Sequence, residues 1–325
     1  MRQKEGLKKS SSLLRKIITL QRQRKLIPEG KALLMAFSGG VDSVALALAM
    51  MELKNFLKLR RLALAHINHG IRGDESKRDE EFAKKFGNSK GLEVFVEGAN
   101  VKKMAKERGE NLEAVAREVR YKLLREIKEK EGFDLLATAH HLNDLLETVL
   151  LWLVRGSGLE GLTGFDEKMN DLIRPLYTST REEIVEFVQS RNESWIEDST
   201  NYDLRYARNR IRHMVVPELK KINPRLEESV LRLVSLLRDE EDFLKKEMQR
   251  AMDRCVKGYK ADREELMALH PAIQRKLLSE WLGIKNMKKV EQIMRVQRYG
   301  GSANLGGGLL LEAEGNHLHL KRNQA

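Results

Sequence analysis

Six consecutive residues, Ser38, Gly39, Gly40, Val41, Asp42 and Ser43, bring together two hydroxyls, two adjacent glycines and one carboxylate. Adjacent glycines let a backbone take positive φ and approach a ligand closely. The apolar run Ala32 to Phe37 before them reads as a buried parallel strand, and Val44 to Met51 after them reads as a helix. A strand-to-helix turn of this kind adds free N–H groups and the positive end of a helix dipole, which together make a phosphate cradle. Asp42 would repel phosphate unless a bound Mg²⁺ lay between them, so the pattern predicts a nucleotide site with Asp42 on the metal. The chain contains no Gly-x-x-x-x-Gly-Lys-Ser/Thr, so this is not a Walker-type loop.

A second group lies about a hundred residues on. At 100° per residue, Leu142, Leu145, Leu146, Val149, Leu150 and Leu153 fall on an arc of roughly 140°, with His140, His141, Asp144, Glu147 and Thr148 opposite. One face is core; the other is a titratable cluster suited to binding metal, holding a cationic substrate or shifting a proton. His66 and Arg72 follow another apolar run and are placed with the nucleotide, Arg72 to neutralise phosphate charge. Taken alone, His66 reads as a buried, hydrogen-bonded histidine. Arg117 and Arg120 share a helix whose core face is Leu112, Val115, Ala116 and Val119, and either suits a carboxylate or a phosphate. An acidic loop from Glu197 to Asp203 leads into Arg205, Arg208, Arg210 and Arg212, which suit RNA phosphates; a self-paired charged surface is the competing reading.

Strands and helices must alternate to position these groups. Leu62 to Ile67, Leu92 to Val96 and Phe133 to Ala139 read as further strands, separated by helices over Ser76 to Lys90, Val101 to Arg108 and Leu112 to Lys130, with His141 to Val154 helical after the last of them. Alternation predicts an α/β fold with a parallel, doubly wound sheet, whose ligands bind beyond the strands' carboxyl ends. Ser38, His66 and His140 all fall there. The glycine-rich run Gly156 to Gly164 reads as a flexible loop over the site. Leu172 to Leu176 reads as a short strand, Thr180 to Arg191 as a helix, and Trp195-Ile196 as a last strand. Beyond Asn209 helix follows helix, ending in short strands that turn at Gly306 to Gly308 and at Glu314 to Asn316. The domain boundary is placed near Pro217 to Pro224, giving domains of 1–217 and 218–325.

The 325 residues are enough for two domains with substantial cores. One cysteine, Cys255, excludes internal disulfides and multi-cysteine zinc sites. The net charge of +12 points to a polyanionic partner, and beside a nucleotide loop it favours RNA over membrane. No uncharged apolar run reaches transmembrane length, and Met1 to Ser12 lacks the apolar core of a signal peptide, so a cytoplasmic location is expected. Oligomeric state stays open, a homodimer included.

The SGGVDS segment resembles the loop of the PP-loop ATP pyrophosphatases. With it, His66 to Arg72, Ala116 to Tyr121, Ala137 to Thr148, Arg155 to Gly164, Arg174 to Leu176, Glu197 to Asn201 and Arg208 to Arg212 resemble, in order, the tRNA(Ile)-lysidine synthases in their short form. The resemblance implies ATP and Mg²⁺ as cofactors, with an isoleucine tRNA of anticodon CAU and free lysine as substrates. It implies adenylation of the wobble cytidine at its C2 oxygen, followed by attack of lysine's side-chain amine. Ser38 to Ser43 would hold the leaving pyrophosphate and Asp42 the Mg²⁺. Asp144 and Glu147 would bind the lysine cation or take its proton, Arg120 would anchor its carboxylate, and 218–325 would bind tRNA. The readings set against this are tRNA thiolation, which typically uses paired cysteines, and a non-catalytic RNA-binding protein on an ATP fold.

Overall fold

The computed structural model describes residues 11–70, 74–197 and 202–322. Arg72 and residues 198–201 of the acidic loop lie outside them. Packing divides the chain into two units, Met1–Val234 and Ser235–Ala325. The division falls beyond the boundary expected near Pro217 to Pro224, because Val230 and Val234 join the core of the first unit.

The first unit runs through α1 (Ser12–Arg24), β1 (Ala32–Ala36), α2 (Val41–Leu53), β2 (Arg61–Asn68), α3 (Asp74–Lys90), β3 (Glu93–Gly98), α4 (Val101–Arg108) and α5 (Leu112–Lys130). It continues with β4 (Leu135–Ala137), α6 (Leu142–Val154), α7 (Leu159–Leu162), β5 (Lys168–Met169), β6 (Leu172–Ile173) and α8 (Arg181–Gln189). Next come α9 (Ala207–Arg210), a π-helical turn (Ile211–Val215), α10 (Val216–Ile222) and the start of α11 (Leu226–Cys255). The strand order is β3-β2-β1-β4-β6-β5, parallel except for the short edge strand β5.

The apolar sequence of β1 follows from its place at the centre. Met35 stands level with Leu64 of β2 and Ala137 of β4. Leu33 and Met35 point into the core that also holds residues of α2, α6 and α8, while Ala32 and Leu34 face Leu124 and Ile127 of α5. Both faces are thus covered, and period-2 alternation sorts the strand between two helix layers. Because β1 pairs with β2 on one edge and β4 on the other, winding reverses there and a crevice opens at their carboxyl ends.

Three local expectations change. Trp195 and Ile196 form no strand: the Ile196 N–H donates to the Gly39 carbonyl at 2.9 Å, so this segment lies along the glycine turn instead of joining the sheet. The run Gly156 to Gly164 is not a loose loop. It contains α7, and Gly164, at φ 66°, packs so closely that a Cβ would sit 2.5 Å from Leu145 Cδ1. In α6, Leu142, Leu145, Leu146 and Val149 are buried as expected, but Leu153 is exposed and Glu147 is buried.

The second unit contains the remainder of α11, then β7 (Val256–Lys257), β8 (Lys260–Asp262), α12 (Arg263–Met267), α13 (Pro271–Leu282) and α14 (Met287–Tyr299). It ends with β9 (Gly301–Gly306), β10 (Leu309–Glu314) and β11 (His317–Arg322). These strands form an antiparallel sheet in the order β7-β8-β11-β10-β9 around a core that includes Leu266, Leu277, Val290, Leu311 and Leu318. Among the described residues, no helix is long and apolar enough to cross a membrane.

Candidate active site

At the carboxyl ends of β1, β2 and β4, Ser38, His66 and His140 line one cavity of about 430 Å³, together with Asp42, Ser43, Asn68, Arg120, Asp144 and Arg208. Its floor is the turn from β1 into α2. Gly39 has φ 86°, and a Cβ on it would lie 2.9 Å from Ile196 Cδ1, so glycine is required on both counts. The buried Ser43 hydroxyl accepts from the Gly39 N–H at 3.1 Å and donates to the Gly40 carbonyl at 2.8 Å, which fixes the turn's shape. Gly40 is the N-cap of α2 and no side chain caps that helix, an arrangement that suits an anion on the first-turn N–H groups.

His66 is buried, with Nδ1 3.0 Å from the Phe37 carbonyl. A carbonyl only accepts, so Nδ1 is the donor in this contact. His140 Nδ1 stands 2.9 Å from the Thr138 hydroxyl oxygen, and the ring lies edge-on to Phe165. Burial pushes its pKa down to about 3, against the attraction of Asp144, so it is uncharged at neutral pH.

The first turn of α6 brings acidic groups to the crevice. His141 is its N-cap: His141 Nδ1 accepts from the Asn143 N–H at 3.2 Å, and Asp144 Oδ2 accepts from the His141 N–H at 3.0 Å. With Nδ1 accepting, Nε2 carries the proton, and it stands 3.6 Å from both Asp42 Oδ1 and Asp144 Oδ2. Two carboxylates from different helices therefore flank one imidazole. Burial would raise the pKa of Asp144, but the N–H groups of His141 and the Arg208 guanidinium more than offset it and hold the carboxyl well below its usual range.

One turn further, Glu147 is held by two guanidinium groups. Arg208 Nε donates to Glu147 Oε2 at 2.8 Å, and Arg212 Nε donates to Glu147 Oε1 at 2.6 Å. Arg208 also reaches the Asp144 carbonyl at 3.2 Å and its carboxylate at 3.4 Å. Arg208 and Arg212 are one helical turn apart, and together with Asp144 and Glu147 they make a charge-balanced quartet. The arginine-dense segment is thus divided. Arg208 and Arg212 point inward, Arg205 is paired with Asp203 at 2.7 Å, and Arg210 is exposed. Desolvation works against the charge on Arg208 and Arg212, yet Asp144 and Glu147 raise both above the ordinary arginine value.

A second cavity, of about 580 Å³, lies behind this wall. Arg117, Glu147, Thr148, Trp152, Phe165 and Arg174 line it, and His140 and Arg208 line both cavities. Arg174 is buried, stacks its guanidinium 5.0 Å from the Phe165 ring centre, and has a buried Nε with no hydrogen-bond partner. Arg120 belongs to the first cavity, with its side chain exposed.

The sequence reading did not single out Arg181. It opens α8, its N–H donates to Asn143 Oδ1 at 2.8 Å, and its guanidinium pairs with Asp42. A capping threonine followed by a glutamate three residues later announces the helix; nothing in that pattern says where the arginine between them points.

The turn, the crevice and the sheet order agree with what sequence comparison finds. The PP-loop domain family matches residues 10–219. The chain belongs to the PP-loop domain family. A TilS-like substrate binding domain matches residues 255–320, within the second unit. The PP-loop chain is 35% identical to the tRNA(Ile)-lysidine synthase of Persephonella marina across 82% of its own length and 59% of that relative's. With the enzyme of the same description from Thermotoga maritima it shares 38% identity over 72% of its length and 56% of the relative's. The chain spans a little over half the length of these relatives. Among solved structures, the U34-tRNA thiolase NcsA from Methanococcus maripaludis superposes with a TM-score of 0.57 at 20% identity, covering 70% of this chain and 78% of that one. That likeness establishes a shared fold, and the PP-loop domain match implies ATP as the nucleotide.

Proposed function

We propose that this PP-loop protein is an ATP-dependent tRNA-modifying ligase that converts the wobble cytidine of a CAU-anticodon isoleucine tRNA to lysidine. The observation that carries the reading is the pair of cavities sharing one wall: one opens on the glycine turn, the other is ringed by arginines and a glutamate, and His140 and Arg208 border both. A reaction that activates a base with ATP and then joins it to an amino acid needs two such sites side by side. The likeness to tRNA(Ile)-lysidine synthases supports the choice of substrates, as does the net charge of +12.

In this reading the α-phosphate of ATP lies beyond the turn, with the β- and γ-phosphates on the N–H groups of Val41 to Ser43. The cytidine C2 oxygen attacks the α-phosphorus and pyrophosphate leaves; the lysine amine then attacks C2 and AMP leaves with that oxygen. Asp42, in the first turn of α2 and on the wall of the first cavity, is the residue that would hold Mg²⁺ together with phosphate oxygens. Bound there it would offset charge on the departing pyrophosphate. Asp144 is the carboxylate beside the shared wall and is assigned the lysine ammonium, or the proton it must lose before attack. Arg120 faces the nucleotide side, so the lysine carboxylate falls to Arg117 or Arg174 in the second cavity. Glu147, already neutralised by two arginines, aligns Arg208 toward the wall.

The test is one incubation with ATP, Mg²⁺, labelled lysine and the CAU-anticodon isoleucine tRNA, followed by nucleoside analysis. Label in a modified wobble cytidine is expected. Pyrophosphate release without lysine incorporation would overturn the assignment.

A further inference from the structure

Asp42 is asked to hold a metal ion, yet its Oδ1 is the atom on which the Arg181 guanidinium sits. His141 Nε2 stands 3.6 Å from the same oxygen. A dication placed there would lie against a guanidinium, and at contact distance the two repel even with water partly screening them. The two cations are therefore alternative occupants of one carboxylate.

The placement of Arg181 makes an exchange feasible. Its backbone is fixed, because its N–H is held by Asn143, Thr180 caps α8 through a capping box with Glu183, and the Leu142 N–H donates to the Ser179 carbonyl at 2.9 Å. Its side chain is free to move, being 43% exposed where it meets Asp42, itself 32% exposed. A guanidinium released at this point stands at the rim of the glycine turn, where phosphate oxygens offer it a bidentate acceptor better than one shared carboxylate oxygen.

We propose that Arg181 is a phosphate ligand in waiting: it occupies Asp42 until a metal–nucleotide complex binds, then yields Asp42 to the metal and transfers to the phosphates. This rests on the reading that Asp42 holds the metal. It makes Arg181 a nucleotide ligand whose loss has opposite effects on two ligands. Removing it unblocks Asp42 for a metal ion alone, and removes a contact from the metal–nucleotide complex.

The experiment is direct binding without turnover, using Mn²⁺ alone, followed by its free-ion magnetic resonance signal, and Mg²⁺ with a non-hydrolysable ATP analogue, followed by calorimetry. Arg181→Ala is expected to bind Mn²⁺ alone more tightly than the parent and the metal–nucleotide complex roughly tenfold more weakly, the scale of one charge-assisted hydrogen bond. Arg181→Lys, which keeps the charge but not the fork, is expected to fall between them on both measures. Arg181→Ala with unchanged or weaker Mn²⁺ binding, or with unchanged nucleotide binding, would overturn the proposal and leave the arginine a structural partner of Asp42. The lysine variant keeps the question decidable should the alanine variant melt early. Asp42→Asn separates the two levels of the argument: if it leaves metal–nucleotide affinity untouched, the metal reading of Asp42 fails; if it abolishes that affinity while Arg181→Ala changes nothing, only the exchange fails.

Discussion

Glu147 sits under Arg208 and Arg212 with its side chain 3% exposed, while each arginine keeps about a third of its surface in water. Glu147→Gln removes the nearer of the two carboxylate charges that both guanidinium groups share. Breaking a buried pair costs about 3–5 kcal/mol, and the partial exposure of the arginines brings the expected loss to about 2–3 kcal/mol. Urea unfolding of the two proteins checks this; a midpoint within error of the parent's would mean that water already supports the arginines. Asp144→Asn should by contrast keep the fold nearly intact and slow lysine transfer more than pyrophosphate release, measured as separate half-reactions. His140 gives a pH signature. Its pKa lies far below the ordinary histidine value, so the unfolded chain binds its proton more readily than the folded one between about 6.5 and about 3. Its linkage makes stability flat above pH 6.5 and declining as pH falls through that window. Unfolding at pH 7.5 and 5.0 should show a larger drop for the parent than for His140→Gln, and equal drops would refute a buried neutral ring.

The elements were legible where one rule governed them. A wholly apolar run before a glycine pair reads as a central parallel strand because a strand covered on both faces has no reason to alternate, and β1 falls within one residue of that reading. The leucine arc of α6 was legible for the same reason up to Val149; its last turn was not, because periodicity reports which face is apolar and not how far the neighbouring layer extends. Trp195 and Ile196 misled because β-propensity measures fit to a surface, and here the surface is the glycine turn. Inward arginines are harder still: Arg181, Arg208 and Arg212 carry no mark in the sequence that separates them from exposed Arg210. The glycine-rich run was read for freedom, whereas Gly164 is there for closeness. Gly164→Ala places a methyl group 2.5 Å from Leu145 Cδ1 at φ 66° and should cost about 1–3 kcal/mol. A melting temperature lowered by several degrees is the expected result, and none at all would mean that Leu145 gives way freely.

At the scale of the molecule, the charge of +12 does not translate directly into RNA contacts, since Arg205, Arg208 and Arg212 are engaged within the chain. Of the arginines between 205 and 212, Arg210 is the exposed one with no ion pair described, and it is the one proposed to meet RNA phosphate. Arg210→Ala should lower the slope of log affinity against log salt for tRNA by about one unit at most, and act equally on cognate and non-cognate tRNA. Arg208→Ala should change that slope less and impair catalysis more. Filter binding over a salt series distinguishes them, and the reverse ranking would return Arg208 to the RNA.

The pair between Asp42 and Arg181 joins residues 139 apart in sequence, and Glu147 meets Arg208 across a further 61. The crevice is thus stitched by segments that reach each other only after most of the first unit exists. A chain leaving the ribosome has its glycine turn long before it has Arg181 to set against Asp42, and a product ending short of residue 208 would lack both guanidinium partners of Glu147. Loop closure over such spans is slow compared with helix formation. The crevice is therefore expected to take its final shape late in folding, once the segment carrying Arg208 and Arg212 has docked.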